Sequence, residues 1–310
     1  MITTAELIEI IRDVEAKPGF LTERFFPNVV MSESEFISIA VEGSRGSKGN
    51  YFFYAPRVGE EWSLKPWRSE EQGLRHYRKE MAEQIDVVIM RAVERYAAYI
   101  LRTGTMAFER SRDRCETHID FGRDPALTVQ LSAERQWTAE NVGAGLAMPV
   151  ADVRGWLDVL AKKNGPGASD IVFEHDAYAS FIASAEQDPR FELNTERAGE
   201  PRGDNASFKG RWYPEGGGSN DLWTYQEWYL DQEGNEQQMM PDGTVLMVAP
   251  NLAGVRAFAK IEHPIHDFTG LPFAPRTWVD ESKGHQMLKV DCCPMLVPFR
   301  PNATFAATVL

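Results

Sequence analysis

Cysteine is scarce in this chain: Cys115, Cys292 and Cys293 are the three among 310 residues, and none forms a CxxC pair. Adjacent cysteines rarely bridge each other, so a disulfide framework is excluded, and free thiols in a reducing, intracellular setting are the expectation. Long hydrophobic runs are missing too. No stretch approaches the ~18 consecutive apolar residues that span a bilayer. The opening, Met1 to Lys17, is amphipathic and carries acids, unlike a secretory signal. Positive charge is in short supply, with 33 Lys and Arg against 46 Asp and Glu and a formal charge of −13. A dedicated nucleic-acid binder would show a basic stripe. Enclosing nucleic acid without gripping it stays compatible with this acidity, which otherwise serves solubility.

Catalytic signatures are lacking as well. No GxSxG elbow or helical HExxH occurs. Gly216-Gly217-Gly218 has no strand before it and no helix after it, as a phosphate cradle needs. His263 and His266, in HPIH beside Glu262 and Asp267, could share a metal on a helix, but Pro264 argues for an extended turn. Cys115 has His118 three residues away, and a buried structural thiol is the plainer reading of that pair. Lys48 could in principle join an Asn of a neighbour covalently, or simply be solvated. The expectation is no catalytic residue, no metal and no cofactor.

What is present is ordinary globular material, 43% apolar and 25% charged, in a chain long enough for two or three lobes. A short helix opens it: Thr3 and Glu6 have capping-box spacing, and Leu7, Ile10, Ile11 and Val14 follow at helical intervals before Pro18-Gly19. It is too short to stand alone and must dock on its own subunit or the next. Phe20, Phe25 and Phe26 follow in a loosely patterned arm. Phe36 to Val41 and the aromatic Tyr51-Phe52-Phe53-Tyr54 read as a hairpin around a glycine-rich tip, Gly43 to Asn50. Four consecutive aromatics on a protruding hairpin point to a partner surface, unless they pack on the subunit's own core.

The strongest periodic signal runs from about Ser69 to Arg102. Leu74, Tyr77, Met81, Ile85, Val88, Ile89, Ala92, Tyr96 and Ile100 form the apolar stripe. Arg75, Arg78, Lys79, Glu83, Arg91 and Glu94 occupy the other face, and Gly104 is placed to end a rod of roughly 50 Å. Short strands follow at Thr117 to Phe121 and Leu127 to Leu131, then a helix over Ala151 to Lys162. Ile171-Val172-Phe173 reads as a buried strand leading into a helix through Tyr178, Phe181 and Ile182. Asn194 to Asn205 reads as a loop, Leu222 to Leu230 as an aromatic strand and Thr244 to Val248 as an apolar one. The class is α+β with at least two lobes.

Several segments, in order, carry a resemblance. TTAELIEIIRDVEAKPGFLTERFFPN (Thr3 to Asn28), ILRTGTMAF (Ile100 to Phe108), HIDFGR (His118 to Arg123), SDIVFEHDAYASF (Ser169 to Phe181) and MPDGTVLMVAPNLAGVRAFAKIEH (Met240 to His263) resemble the lambda-type tailed-bacteriophage major capsid protein E family. Ser207 to Asp221 departs from that pattern as an insertion. The resemblance implies a Hong Kong 97-type capsid fold. Its parts would be an N-terminal arm (1–32), an extended hairpin loop (33–68), a peripheral domain with a spine helix (69–138), an axial α+β domain (139–250) and return strands to the peripheral domain (251–310). It implies a non-enzymatic virion shell protein, assembled in the host cytoplasm as hexamers and pentamers. The icosahedral shell would enclose double-stranded DNA without sequence-specific binding. Scaffold, portal and decoration proteins are the further candidate partners, and no membrane is involved. Candidate inter-subunit contacts are Leu7, Ile10, Ile11, Phe25, Phe26, Lys48, Tyr51, Phe52, Phe53 and Tyr54. No Lys–Asn crosslink is implied. An encapsulin-like cellular compartment of the same fold and a cytosolic metal-dependent hydrolase are the alternatives.

Overall fold

In the computed structural model the described residues are 3–12, 18–32, 36–42, 48–54, 57–58, 61–64, 70–110, 115–188, 191–195, 205–214, 218–230, 235–261, 272–282 and 285–310. A mixed seven-stranded sheet lies at the centre. Its order is Thr128–Gln130, Thr304–Thr308, Thr244–Val248, Asp170–Phe173, Asn220–Tyr225, Ala206–Trp212 and Leu193–Asn194. The inner strands are buried throughout, DIVF and TVLMV along their whole lengths. The reason is that both faces are covered. Ile171, Phe173, Leu222, Val245, Met247 and Phe305 share one core with residues of the helices Pro149–Asn164 and His175–Ala185. Their neighbours Val172, Trp223, Tyr225, Leu246, Val248 and Ala306 belong to a second core, with the spine helix and the arm. The period of two thus divides each strand between two cores.

The sheet recruits Thr128–Gln130 and Thr304–Thr308, which the expected boundaries at 139–250 leave outside. The expected single strand Leu222 to Leu230 is two, Asn220–Tyr225 and Trp228–Leu230, on different sheets. The described residues of Ser207 to Asp221, which departs from the family pattern, are mostly strand. They span most of Ala206–Trp212 and enter Asn220–Tyr225, antiparallel partners that widen the sheet.

The spine is helical from Glu70 to Thr103, but in three pieces: Glu70–Gln84, a π-helical stretch Ile85–Met90, and Arg91–Thr103. A π turn takes up an additional residue, which rotates everything downstream by about 100° relative to an unbroken α-helix. The buried stripe accordingly runs through Met81, Ile85, Ile89, Val93, Ala97 and Leu101. It leaves the expected Ala92 and Tyr96 half-buried and carries Glu94 to the inside. Gly104 ends the helix with φ 73° and donates its N–H to the Ile100 carbonyl. A side chain there would collide with Arg123, so glycine is required twice over.

Candidate assembly interface

The arm divides into two anchored pieces. Thr4–Arg12 is the opening helix, with Glu6 accepting from the Thr3 amide at 2.7 Å in the expected capping box. It docks on its own subunit: Ile8 packs with Ile261 and Ala274. Leu7, Ile10 and Ile11 lie on this helix, their side chains outside the described residues. A second short helix, Phe20–Phe25, lies against the spine. Phe25 and Phe26, expected at an inter-subunit contact, are 5% and 0% exposed in the subunit's own core. Two polar anchors explain why the segment turns inward.

The first anchor is Glu94. Its carboxylate accepts from the Leu21 amide at 2.7 Å, the Thr22 amide at 2.9 Å and the Thr22 hydroxyl at 2.5 Å. It thereby satisfies free donors at the start of the arm helix. Burial pushes the Glu94 carboxyl above its ordinary value, against the hydrogen bonds from Thr22 and Leu21, which favour the anion. The second anchor is Asp170, which accepts from Arg24 Nε at 2.6 Å and Trp223 Nε1 at 2.9 Å, while the Arg24 guanidinium lies 4.7 Å over the Trp223 ring. Gly254 admits the arm: a Cβ there would stand 2.0 Å from the Phe25 carbonyl oxygen.

Beyond Phe26 the arm turns outward. Asn28–Met31 pairs in parallel with Val255–Phe258 and is the edge of a three-stranded sheet. All four residues are exposed, with Val29 at 50% and Val30 at 45%. Edge strands are normally blunted by charge, proline or cover, and this one presents two valines and a methionine.

The hairpin is formed by Phe36–Glu42 and Lys48–Tyr54, from Phe36 opposite Tyr54 to Glu42 opposite Lys48. The expected flexible tip, Gly43 to Asn50, is therefore too long: Lys48, Gly49 and Asn50 are strand, in register with Glu42, Val41 and Ala40. Among the described residues these two strands make a sheet by themselves. An isolated hairpin is marginal in water and needs something to lie on. By strand alternation positions Tyr51 and Phe53 share one face of the strand and Phe52 and Tyr54 the other; the side chains of these four and of Lys48 lie outside the described residues.

Two motifs singled out in the sequence hold the sheet to its flanking parts. Arg123, closing HIDFGR, is buried and donates to the Leu101 and Arg102 carbonyls at 2.7 and 2.5 Å, and to the Thr304 and Thr128 hydroxyls at 3.3 and 2.7 Å. One guanidinium therefore caps the spine and clasps two strands. Burial lowers its pKa to about 10, so it stays charged near neutrality. Glu174, within SDIVFEHDAYASF, caps the helix His175–Ala185 and accepts from the Gly243 amide at 3.0 Å, in the turn of MPDG. A charge at a helical polar position and a charge at a strand end both read as solvated, so the sequence does not mark Glu94 or Asp170 as buried anchors.

Cys115 and His118 lie three apart on the strand Cys115–Asp120, and the Cys115 side chain lies outside the described residues. Cys292 is buried, and burial pushes its thiol well above the ordinary value. His263 and His266 fall outside the described residues. Among the described residues no group of three or more His, Cys, Asp or Glu is placed to hold a metal, and no helix is long and apolar enough to cross a membrane.

The same architecture occurs in solved proteins. A family model described as phage major capsid protein E matches residues 65–309, leaving the arm and hairpin outside. A crystal structure of a protein assigned as a prophage capsid protein, from E. coli CFT073, aligns over 100% of this chain and 99% of its own at TM-score 0.77 and 16% identity. A phage-related protein from Bordetella bronchiseptica RB50 aligns over 99% and 97% at TM-score 0.56 and 12% identity. The capsid of Ralstonia phage GP4 covers 95% and 92% at TM-score 0.50 and 10% identity. The fold is the Hong Kong 97-type capsid fold. No curated protein sequence matches the chain.

Proposed function

The chain belongs to the phage major capsid protein E family, and from that premise we propose that many copies tile as hexamers and pentamers into an icosahedral shell around packaged double-stranded DNA. Its role is that of a capsid shell subunit, and the family is a structural one. The observation that carries the finer reading is the exposed apolar edge Val29, Val30 and Met31 together with a hairpin that pairs with no further strand among the described residues. A shell offers each of them a neighbouring copy. Cohesion would come from apolar burial, about 25 cal/mol per Å² before the costs of association. We assign the straps to Asn28–Met31 and to the hairpin around Tyr51, Phe52, Phe53 and Tyr54, with Leu7, Ile10, Ile11 and Lys48 as further contact candidates.

In this reading the arm covers 1–32, the extended loop 33–68, the peripheral domain 69–138, the axial domain 139–250 and the return 251–310. The seven-stranded sheet is shared between the axial segment and strands from either side of it. The shell stands in the virion after assembly in the host cytoplasm, and scaffold, portal and decoration proteins are the candidate partners. The net charge of −13 suits an inner wall that encloses DNA without binding it tightly. Neither an encapsulin-like compartment nor a hydrolase is favoured, since the family match is to phage capsid proteins. The test is cryo-electron microscopy of the expressed protein, with light scattering alongside. Rings or closed shells are expected. A monodisperse species near 35.0 kDa at high concentration, with assembly partners present, overturns the proposal.

A further inference from the structure

Behind the arm lies a polar cluster that assembly does not explain. The Tyr225 hydroxyl stands 3.0 Å from Glu94 Oε1 and 2.8 Å from Glu227 Oε2. A phenol has one proton and can donate to one of these oxygens. The other contact is a hydrogen bond only when that carboxyl carries a proton and donates it to the phenol oxygen. With both carboxylates ionised, a phenol lone pair faces a negative oxygen at hydrogen-bond distance in a site sheltered from water. Glu94 is 1% exposed, so solvent cannot screen the repulsion.

We propose that Glu94, bridged through the Tyr225 hydroxyl to Glu227, makes the docking of the arm helix on the spine dependent on pH, tight in acid and looser as pH rises. The cover over the cluster is the arm itself. A Cβ at Gly19 would sit 2.3 Å from the Glu94 carboxyl carbon, so the backbone lies directly on that group. Water reaches an ionised Glu94 by lifting this cover, which breaks the bonds from Leu21 and Thr22. Arg256, on the strand Val255–Phe258, feels both Glu94 and Glu23, and Arg24 of the arm helix is held by Asp170.

The direction of the effect follows from linkage. Burial first, and the charge of Glu227 in addition, hold the Glu94 carboxyl above its ordinary 4.5, while burial keeps the Tyr225 phenol protonated. The folded state retains a proton that the unfolded chain has released. The stability it contributes is complete below 4.5 and is lost as pH rises through the raised folded value.

The experiment is hydrogen exchange at the Leu21 and Thr22 amides of the full unassembled chain, corrected for its intrinsic pH dependence. The native chain should open there up to about tenfold more per pH unit above the carboxylate range, the limit for one proton. Glu227→Gln places a permanent N–H donor against the phenol and removes one charge, so its profile should flatten. Tyr225→Phe, which keeps the ring, should flatten it as well by removing the bridge. Circular dichroism checks that both variants fold. A native profile without slope overturns the proposal, as does a slope of equal size in the native chain and both variants.

Discussion

Thr22 donates its hydroxyl to Glu94 Oε2 at 2.5 Å, across 72 residues of sequence. That bond and the two amide bonds beside it make the arm part of the subunit. Glu94→Ala strands three buried donors, each at about 1–3 kcal/mol, so a loss of at least ~3 kcal/mol is expected in denaturant unfolding. Thr22→Val removes one donor of that set and keeps the shape, and should cost about 1–3 kcal/mol. If both variants unfold at the native midpoint, the buried carboxylate does not hold the arm.

The same residue marks the limit of what could be read from the chain. The spine's ends and length were legible, because Gly104 and an unbroken stretch without proline state them. Its inner face was legible at Met81, Ile85, Ile89 and Ile100 but not at Val93, Glu94 and Ala97, since a π turn at Ile85–Met90 leaves no compositional mark and shifts the stripe by one position. Ile171 to Phe173 and Thr244 to Val248 were legible because strands covered on both faces carry nearly continuous apolar runs. Phe25 and Phe26 were assigned outward because nothing local shows that Gly254 opens a place for them. Burial decided by a contact more than two hundred residues away is invisible to periodicity. The hairpin was legible as a hairpin, its tip less so, because Gly49 and Asn50 look like turn residues and are strand.

Arg123 offers a test of the joint between the spine and the sheet. Its planar fork reaches four acceptors on three elements. Lysine, a point charge on a flexible stem, cannot hold all four together. Arg123→Lys should lower the melting temperature through the loss of charged hydrogen bonds worth about 1.5–3 kcal/mol each. Arg123→Met should do worse, since the carbonyls of Leu101 and Arg102 lose this donor altogether. Thermal unfolding monitored by circular dichroism decides, and a native melting temperature in Arg123→Lys would show the clasp to be slack.

Truncation separates the two pieces of the arm. Removing residues 1–17 takes away the opening helix and leaves Phe20, Leu21, Phe25 and Phe26 in the core, so folding should survive. Removing residues 1–28 extracts all four. At roughly 1.5–3 kcal/mol for each large apolar side chain, the loss is of the same size as the whole stability of a typical domain, about 5–15 kcal/mol, so the truncated chain should fold poorly. Solubility and near-ultraviolet dichroism distinguish the outcomes. A well-folded protein lacking 1–28 would mean that the arm is a strap after all and not a part of the core.

The hairpin aromatics give the most direct test of assembly. Tyr51, Phe52, Phe53 and Tyr54 belong to a strand whose partner is Phe36–Glu42 alone among the described residues. Two side chains face each side. On a lone hairpin one pair stays wet, forgoing roughly 1.5–3 kcal/mol for each large apolar side chain left unburied. If a neighbouring copy covers that pair, its loss spares the folding of the subunit and weakens a contact repeated in every copy. Phe52→Ser with Tyr54→Ser, and Tyr51→Ser with Phe53→Ser, probe the two faces separately. One double variant should give soluble, folded protein by circular dichroism that forms few particles in electron micrographs. Normal shells from both variants would remove the aromatics from any interface. Loss of folding in both would place them in the subunit's own core, where Phe25 and Phe26 already are. Because closed shells multiply each contact by the number of copies, a defect of a few kcal/mol per subunit is enough to separate these outcomes.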